Sequence, residues 1–149
     1  LKFSSDFIIG YPGETENDFN DTLNLLNKIE FINCFSFIFS PRPGTPASNL
    51  TEVDYNVSKK RLIIFQNAAE KIKLKYKRSL FNKRALVLFE NKLKNKDGFF
   101  GRDEYLNSVI VKTKQNLRGK LQEVKITGGN QNTLYGELDQ KLNESNFAA

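Results

Sequence analysis

The sequence of 149 residues contains no His, Met or Trp, and its only cysteine is Cys34. The absence of His removes the most common general base and the most common zinc ligand. A single thiol can neither close a disulfide within the chain nor complete a metal site, so we predict no metal site here. We expect Cys34 to be a buried apolar side chain beside a strand, because free cysteines are usually buried.

Two further absences concern the limits of the chain. No run of ~20 apolar residues occurs, so the sequence predicts no membrane span. The N-terminal residues are too few and too acidic, at Asp6, to resemble a signal peptide. Because a complete protein would begin with Met, we expect the chain to be a fragment of a longer one.

The net charge of +6 is distributed unevenly along the chain. Residues 1–55 carry three Lys or Arg and eight Asp or Glu, a net charge of −5. Residues 56–149 carry twenty Lys or Arg and nine Asp or Glu, a net charge of +11. This division predicts two units, of which the second is a candidate for contact with a polyanion.

The first part of the chain has the pattern of a strand, a helix and a second strand. Apolar runs at 6–9 and 35–39 predict buried strands, and helical spacing of apolar residues predicts a helix over 16–30. Such an order forms a βαβ unit with parallel strands. All four prolines lie in the loops after these strands. Loops at that edge of an α/β sheet commonly bind ligands.

The rest of the chain predicts a long helix and then short strands. Apolar residues in steps of three and four predict a helix over 56–78. The many cations of 59–84 form either a solvated face or a surface that approaches phosphate. Turn signals then separate five short β runs, which predict a small closed or nearly closed barrel. These runs are 85–90, 98–102, 108–112, 121–126 and 134–138. We therefore predict domains at 1–78 and 79–140, followed by a flexible tail at 141–149.

Three stretches carry a resemblance to a known family. Residues 5–15, SDFIIGYPGET, resemble the fifth-strand segment of radical-S-adenosylmethionine barrels. Residues 35–47, FSFIFSPRPGTPA, resemble the sixth-strand segment of methylthiotransferases. Residues 98–138 are similar to the TRAM domain, a small OB-like RNA-binding barrel. Their order and spacing resemble the end of the tRNA 2-methylthioadenosine synthase family.

The resemblance implies a fold and an activity. The fold would be an α/β fragment, the last part of a radical-SAM β/α barrel, followed by an all-β small barrel, the TRAM domain. The activity would be insertion of a methylthio group at an N6-isopentenyl-adenosine next to the anticodon of tRNA. S-adenosylmethionine would supply the methyl group and a deoxyadenosyl radical. Two 4Fe-4S clusters would be held by cysteines that match no position here, so the fragment alone is predicted to be inactive and to hold no catalytic residue.

Four residues at the proline-rich edge are candidates for binding S-adenosylmethionine. Ile8 offers an apolar surface to an adenine ring, and Gly10 allows close approach of the backbone. The alternatives are strand core for Ile8 and a turn requirement for Gly10. Arg42, between two prolines, suits either a bound carboxylate or phosphate or a salt bridge within a larger barrel. Ser40 either donates a hydrogen bond to the cofactor or caps its loop. For the nearby Glu14 we expect a role at a helix N-terminus.

Seven residues of the predicted barrel are candidates for binding RNA. Lysines neutralise phosphates, and an exposed aromatic side chain stacks on an unpaired base. The alternative is an ordinary solvated hairpin with the tyrosine partly in the core. The candidates are Lys92, Lys94, Lys96, Arg102, Tyr105, Asn107 and Ser108.

The expected partner is tRNA, bound through its anticodon stem-loop by a cytoplasmic monomer that does not contact membranes. Two other functions compete with this interpretation. One is the related methylthiotransferase that acts on threonylcarbamoyl-adenosine in tRNA, because its sixth-strand loop is also rich in proline. The other is a stand-alone RNA-binding TRAM module, which would have no need of the Pro/Gly loops at 10–14 and 41–46.

Overall fold

The structure is a computed structural model that describes residues 1–94 and 96–138. The chain divides into two compact units, residues 1–73 and the part that starts at Leu74. The predicted tail at 141–149 and the last two residues of the predicted barrel lie outside the described residues. The predicted domain boundary at residue 78 stays a prediction.

The first unit contains two parallel strands and two α-helices, and α2 continues past its boundary into the second unit. The helix α1 begins with a capping box, in which Thr15 Oγ1 accepts from the Asp18 N–H at 3.2 Å and Asp18 Oδ2 accepts from the Thr15 N–H at 2.8 Å. The hydrogen bonds that the Asp18 carboxylate accepts from the Thr15 N–H and from the Thr15 hydroxyl lower the pKa of Asp18. The elements are β1 (Ser4–Ile9), α1 (Glu16–Ile29), β2 (Asn33–Ile38), a 3₁₀ turn (Pro46–Asn49) and α2 (Tyr55–Arg78).

The two faces of the parallel sheet differ in their cover. Ile9 is buried and Phe7 packs against the same cluster, which includes Phe65 of α2. On the other face, Ile8 pairs with Phe37 and Asp6 pairs with Phe35. These three apolar side chains are more than half exposed, at 58% for Ile8, 57% for Phe37 and 55% for Phe35. The sheet therefore has a packed face and an open apolar face.

The second unit is a closed barrel of five strands in the order β3-β4-β5-β7-β6. All neighbouring pairs are antiparallel except β5 and β7, which are parallel. Closure pairs every strand on both sides and leaves no free edge. The strands are β3 (Arg84–Lys92), β4 (Phe99–Asp103), β5 (Ser108–Val111), β6 (Leu121–Gly129) and β7 (Thr133–Leu138).

The strand registers define two ends of the barrel. At the first, named here the helix end, Asn82 donates to the carbonyl of Ile126, and Leu80 and Phe81 pack against the barrel core. Residues 79–83, which follow α2, therefore cover this end. The opposite end, named here the hairpin end, is formed by the turn between β3 and β4 and by the loop of residues 112–120 between β5 and β6.

The predicted small barrel is confirmed, with each strand within a few residues of its expected position. The parallel pairing of β5 with β7 was not predicted, because alternation along a strand does not specify its neighbour. Within the described part of the chain, no helix combines the length and the apolar character needed to cross a membrane.

Candidate cofactor edge and candidate nucleic-acid interface

A groove of about 380 Å³ lies at the carboxyl end of the parallel strands. It brings together three of the four residues predicted to bind a cofactor, namely Ile8, Ser40 and Arg42. The side chain of Phe37 lines the same groove, and Tyr11 meets Phe39 edge to face with ring centres 5.2 Å apart. The groove thus combines apolar surface with an exposed guanidinium and a hydroxyl.

Gly10 has a different environment from the other three. It is buried with φ at +73°, and a Cβ at this position would collide with the side chain of Ser58, which is itself buried on α2. Its N–H donates to Glu14 Oε2 at 2.9 Å. The turn and the close packing of α2 therefore account for glycine here.

Glu14 is the centre of a buried polar cluster that the sequence did not predict. Its Oε1 accepts from Arg61 Nη1 at 2.8 Å, and the same nitrogen donates to the Glu14 carbonyl at 3.1 Å. Arg61 Nη2 reaches Glu16 at 3.0 Å. Glu14 lies two residues before the start of α1, and it also fixes the loop after β1 to α2. No local pattern links Glu14 to a residue so far along the chain.

Arg61 remains charged although its side chain is only 8% exposed. Burial lowers the pKa of Arg61, but the hydrogen bonds that its guanidinium donates to Glu16 and Glu14 outweigh this effect and the net pKa is raised. The guanidinium carbon also lies 5.6 Å from the centre of the Phe19 ring. This ion pair holds together three segments of the first unit, which are the loop, α1 and α2.

The sole cysteine is half-buried on the packed side of β2. Burial raises the pKa of the Cys34 thiol to about 11, an effect that the positive charge of Lys73 partly offsets. Within residues 1–94 and 96–138, no group of three or more His, Cys, Asp or Glu side chains is placed to hold a metal ion.

The barrel separates the seven predicted RNA-binding residues into two groups. Lys92, Lys94 and Lys96 lie at the hairpin end, where Lys92 pairs with Phe99. Tyr105, Asn107 and Ser108 lie with Arg102 at the other end of β4. Three residue steps along β4, from Phe99 to Arg102, separate the groups by roughly 10 Å at the rise of a strand.

Arg102 and Asn107 already have partners within the barrel. Arg102 Nε donates to Glu90 at 3.1 Å, and its guanidinium carbon lies 5.7 Å from the centre of the Phe100 ring. Asn107 is buried, and its Nδ2 donates to Asp103 Oδ2 at 2.8 Å. Both side chains therefore hold the local structure in place.

The turn between β4 and β5 is braced by a buried polar network. Asp103 Oδ1 accepts from the N–H groups of Tyr105 and Asn107, both at 2.9 Å. Asn107 Nδ2 also donates to the Tyr76 hydroxyl at 3.3 Å. Burial raises the pKa of Tyr76, the hydrogen bond from Asn107 lowers it, and the charge of Asp103 raises it again. The network presents Tyr105 and Leu106 to solvent, with exposures of 47% and 72%.

Comparisons with known proteins show what the chain is similar to. No family model matches it. It is 51% identical over 140 residues to the tRNA-2-methylthio-N(6)-dimethylallyladenosine synthase of Pelagibacter ubique, a match that covers 94% of this chain and 31% of that protein. The synthases of Ruthia magnifica and Rickettsia bellii are each 42% identical over 93% of the chain.

These identities show that the chain is a relative of tRNA-modifying synthases. Over nearly its whole length the chain is similar to one part of the tRNA-2-methylthio-N(6)-dimethylallyladenosine synthases. It spans about 31% of the length of the curated relatives it matches.

Proposed function

We propose that this chain is the C-terminal part of an enzyme that methylthiolates an N6-isopentenyl-adenosine next to the anticodon of tRNA. The observation that carries the proposal is the identity of 39–51% to relatives named for this product, sustained over nearly the whole chain. The first unit would supply part of the cofactor edge, and the second unit would be the tRNA-binding TRAM domain.

The open apolar face of the parallel sheet supports a place in a larger barrel. Parallel sheets are covered on both faces in stable folds. Here α1 and α2 cover one face, whereas Ile8, Phe35 and Phe37 are exposed on the other. In the proposed radical-SAM barrel this second face would line the interior, with further strands continuing the sheet.

The groove at the carboxyl edge fits S-adenosylmethionine in the chemistry of its lining. Ile8 and Phe37 offer apolar surface for an adenine ring, and Arg42 offers a bidentate donor for a carboxylate. Ser40 adds a hydroxyl at the same edge. When bound, S-adenosylmethionine supplies the methyl group and a deoxyadenosyl radical. The role of the chain's own residues is to bind and orient it, while Gly10 shapes the loop through its close approach to Ser58.

The two 4Fe-4S clusters of the proposed enzyme would be held by residues outside this sequence, which has one cysteine. One thiol is insufficient for a cluster ligated by cysteines. We accordingly expect no turnover from the 149-residue chain on its own.

For tRNA, we propose that Lys92, Lys94 and Lys96 contact phosphates and that Tyr105 stacks on an unpaired base. Lys92, Lys94 and Lys96 are all exposed. Ser108 is half-buried beside Arg102, so its contact would be secondary. The hydrogen bonds of Asn107 favour a supporting role for this side chain in the same interface.

Two alternatives retain the same barrel. A threonylcarbamoyl-adenosine methylthiotransferase differs in its substrate, and a stand-alone RNA-binding module differs in having no catalytic partner. The buried Glu14–Arg61 pair and the groove at the carboxyl end of the parallel strands disfavour the module, because an isolated RNA-binding barrel needs neither.

The test begins with the coding sequence upstream of Leu1. We expect an in-frame C-x-x-x-C-x-x-C motif, and its absence would refute the enzyme proposal. The complete protein, purified without oxygen, is then assayed on tRNA that carries either isopentenyl-adenosine or threonylcarbamoyl-adenosine. We expect a methylthio product with the first substrate only, and product with the second substrate alone would favour the related enzyme.

A further inference from the structure

We infer that the hairpin end of the barrel is the phosphate-binding surface, and that four cations of the 112–120 loop belong to it together with the three lysines of the first hairpin. This inference rests on the proposed function, whose partner is tRNA. The additional cations are Lys112, Lys114, Arg118 and Lys120.

The barrel brings two segments that are distant in sequence to one end. Phe99 pairs with Lys92 on one side and with Val111 on the other. The end of β3, the start of β4 and the end of β5 are therefore adjacent. A Cβ on Gly98 would lie 3.4 Å from the Cα of Lys112. The lysines of the β3–β4 turn therefore lie beside the start of the second loop.

The second loop is held firmly against the barrel. Leu117 is fully buried in the barrel core. The N–H of Gly119 donates to the Phe89 carbonyl at 2.8 Å, and the N–H of Phe89 donates to the Lys120 carbonyl at 3.0 Å. These interactions fix the backbone on both sides of Arg118. A fixed backbone lowers the entropy cost when its cations bind an anion.

The charges at this end have one sign almost throughout. All seven cations are exposed, and Asp97 is the acid among residues 92–94, 96–98 and 112–120. Clustered exposed cations raise the local concentration of a polyanion and release its counterions on binding.

The helix end differs in both cover and charge. Residues 79–83 pack over it, and the acid Asp103 ends β4 there and is followed by Glu104. Its exposed cations include Lys83 and Lys125, which provide a comparison on the same barrel, whereas Arg84 and Arg102 there pair with Glu123 and Glu90. An RNA backbone that follows the strongest positive field would meet the hairpin end first.

The experiment measures the affinity of the 149-residue chain for unmodified tRNA by fluorescence anisotropy across about 50 to 200 mM salt, the range in which phosphate binding changes strongly. The test variant is the double substitution Lys114→Gln with Arg118→Gln. The charge-matched controls are Lys83→Gln with Lys125→Gln at the helix end, and Lys59→Gln with Lys60→Gln on α2. Thermal unfolding of each variant verifies that the barrel remains folded.

The test variant is expected to bind about tenfold more weakly at low salt. Its slope of log K against log salt should decrease by about 1.4 to 1.8, which is ~0.7–0.9 for each phosphate that the variant no longer neutralises. The controls are expected to retain most of the slope. An equal or larger decrease in either control would overturn the inference while leaving tRNA binding intact. Failure of the unsubstituted chain to bind tRNA, or binding that ignores salt, would instead contradict the proposed function.

Discussion

The two units bury their apolar residues to very different degrees. Among residues 74–94 and 96–138, the barrel places nine fully or nearly fully buried residues in one core, and its five strands pair around a closed circle. The first unit has two strands, one covered face and one open face with three large apolar side chains exposed. The barrel needs no further element to pair its strands, whereas the parallel sheet leaves one apolar face uncovered.

This difference indicates where the stability of each unit comes from. Barrel closure satisfies the backbone groups of every strand without another chain segment. The first unit relies on one sheet face, a helix cap and a buried ion pair that joins loop to helix. We therefore expect the barrel to be the more stable unit in the isolated chain.

The largest expected effect is on the first unit. Arg61→Ala should reduce the stability of residues 1–73 by about 3–5 kcal/mol, because it leaves Glu14 buried without its partner. Amide hydrogen exchange measures both units in one sample. In the unsubstituted chain we expect weaker protection in the first unit than in β3–β7, and in the variant a further decrease confined to the first unit. The exposed neighbour Lys60→Ala is the control, and an equal decrease in the barrel would remove the distinction between the units.

A second test disrupts the closed barrel instead. Gly101 faces the inside, where a Cβ would collide with the carbonyl of Leu88 and lie 2.8 Å from Val87 Cγ1. Gly101→Ala should therefore destabilise the barrel by about 1–3 kcal/mol. Gly128→Ala on β6 is the matched control, because its Cβ would meet no atom within 4 Å. Chemical denaturation with amide exchange as the readout should show the larger effect for Gly101; equal effects would contradict the packing explanation.

The third test uses Cys34 as a reporter of the first unit. With its pKa raised from 9.0 to about 11, the folded thiol should be alkylated roughly a hundredfold more slowly at pH 8 than in the denatured chain. Because the folded pKa is the higher one, stability from this group is complete below about pH 9 and is lost as the pH rises through about 11. Equal rates in folded and denatured chains would show that the packed face of β2 is open in solution.

The smallest expected effect concerns Leu106, whose φ of +60° is unfavourable for a side chain of this size. Leu106→Asn should raise the stability of the barrel by about 1 kcal/mol, because Asn tolerates this backbone conformation. Leu121→Asn, at an exposed strand position without positive φ, is the control and should give no increase. If the Leu106 variant is less stable than the unsubstituted chain, the leucine side chain contributes to folding in spite of its exposure.

Much of the fold follows from local patterns. Period-two runs and turn residues predicted all five barrel strands, and helical spacing with Thr15 and Asp18 predicted the start of α1 correctly. Local patterns succeed here because a strand's alternation and a helix cap involve residues only a few positions apart.

The candidate sites were less predictable than the elements. Ile8, Ser40 and Arg42 were expected to meet and do share one groove, since parallel strands end at a common edge. Gly10 faces α2 through Ser58, and Asn107 is buried in a polar network. The partner of Gly10 has no local signal because Ser58 lies on α2, whereas Asn107 donates both to the nearby Asp103 and to Tyr76 on α2.

The sequence by itself determined the kind and order of the elements, the excess of positive charge after residue 55 and the similarity to part of the tRNA-2-methylthio-N(6)-dimethylallyladenosine synthases. Tertiary structure alone decided that Glu14 pairs with Arg61 and that the 112–120 loop joins the lysines of the first hairpin. The physical reason is that strand register and barrel closure bring together residues far apart in the chain, and no short-range periodicity encodes those distances.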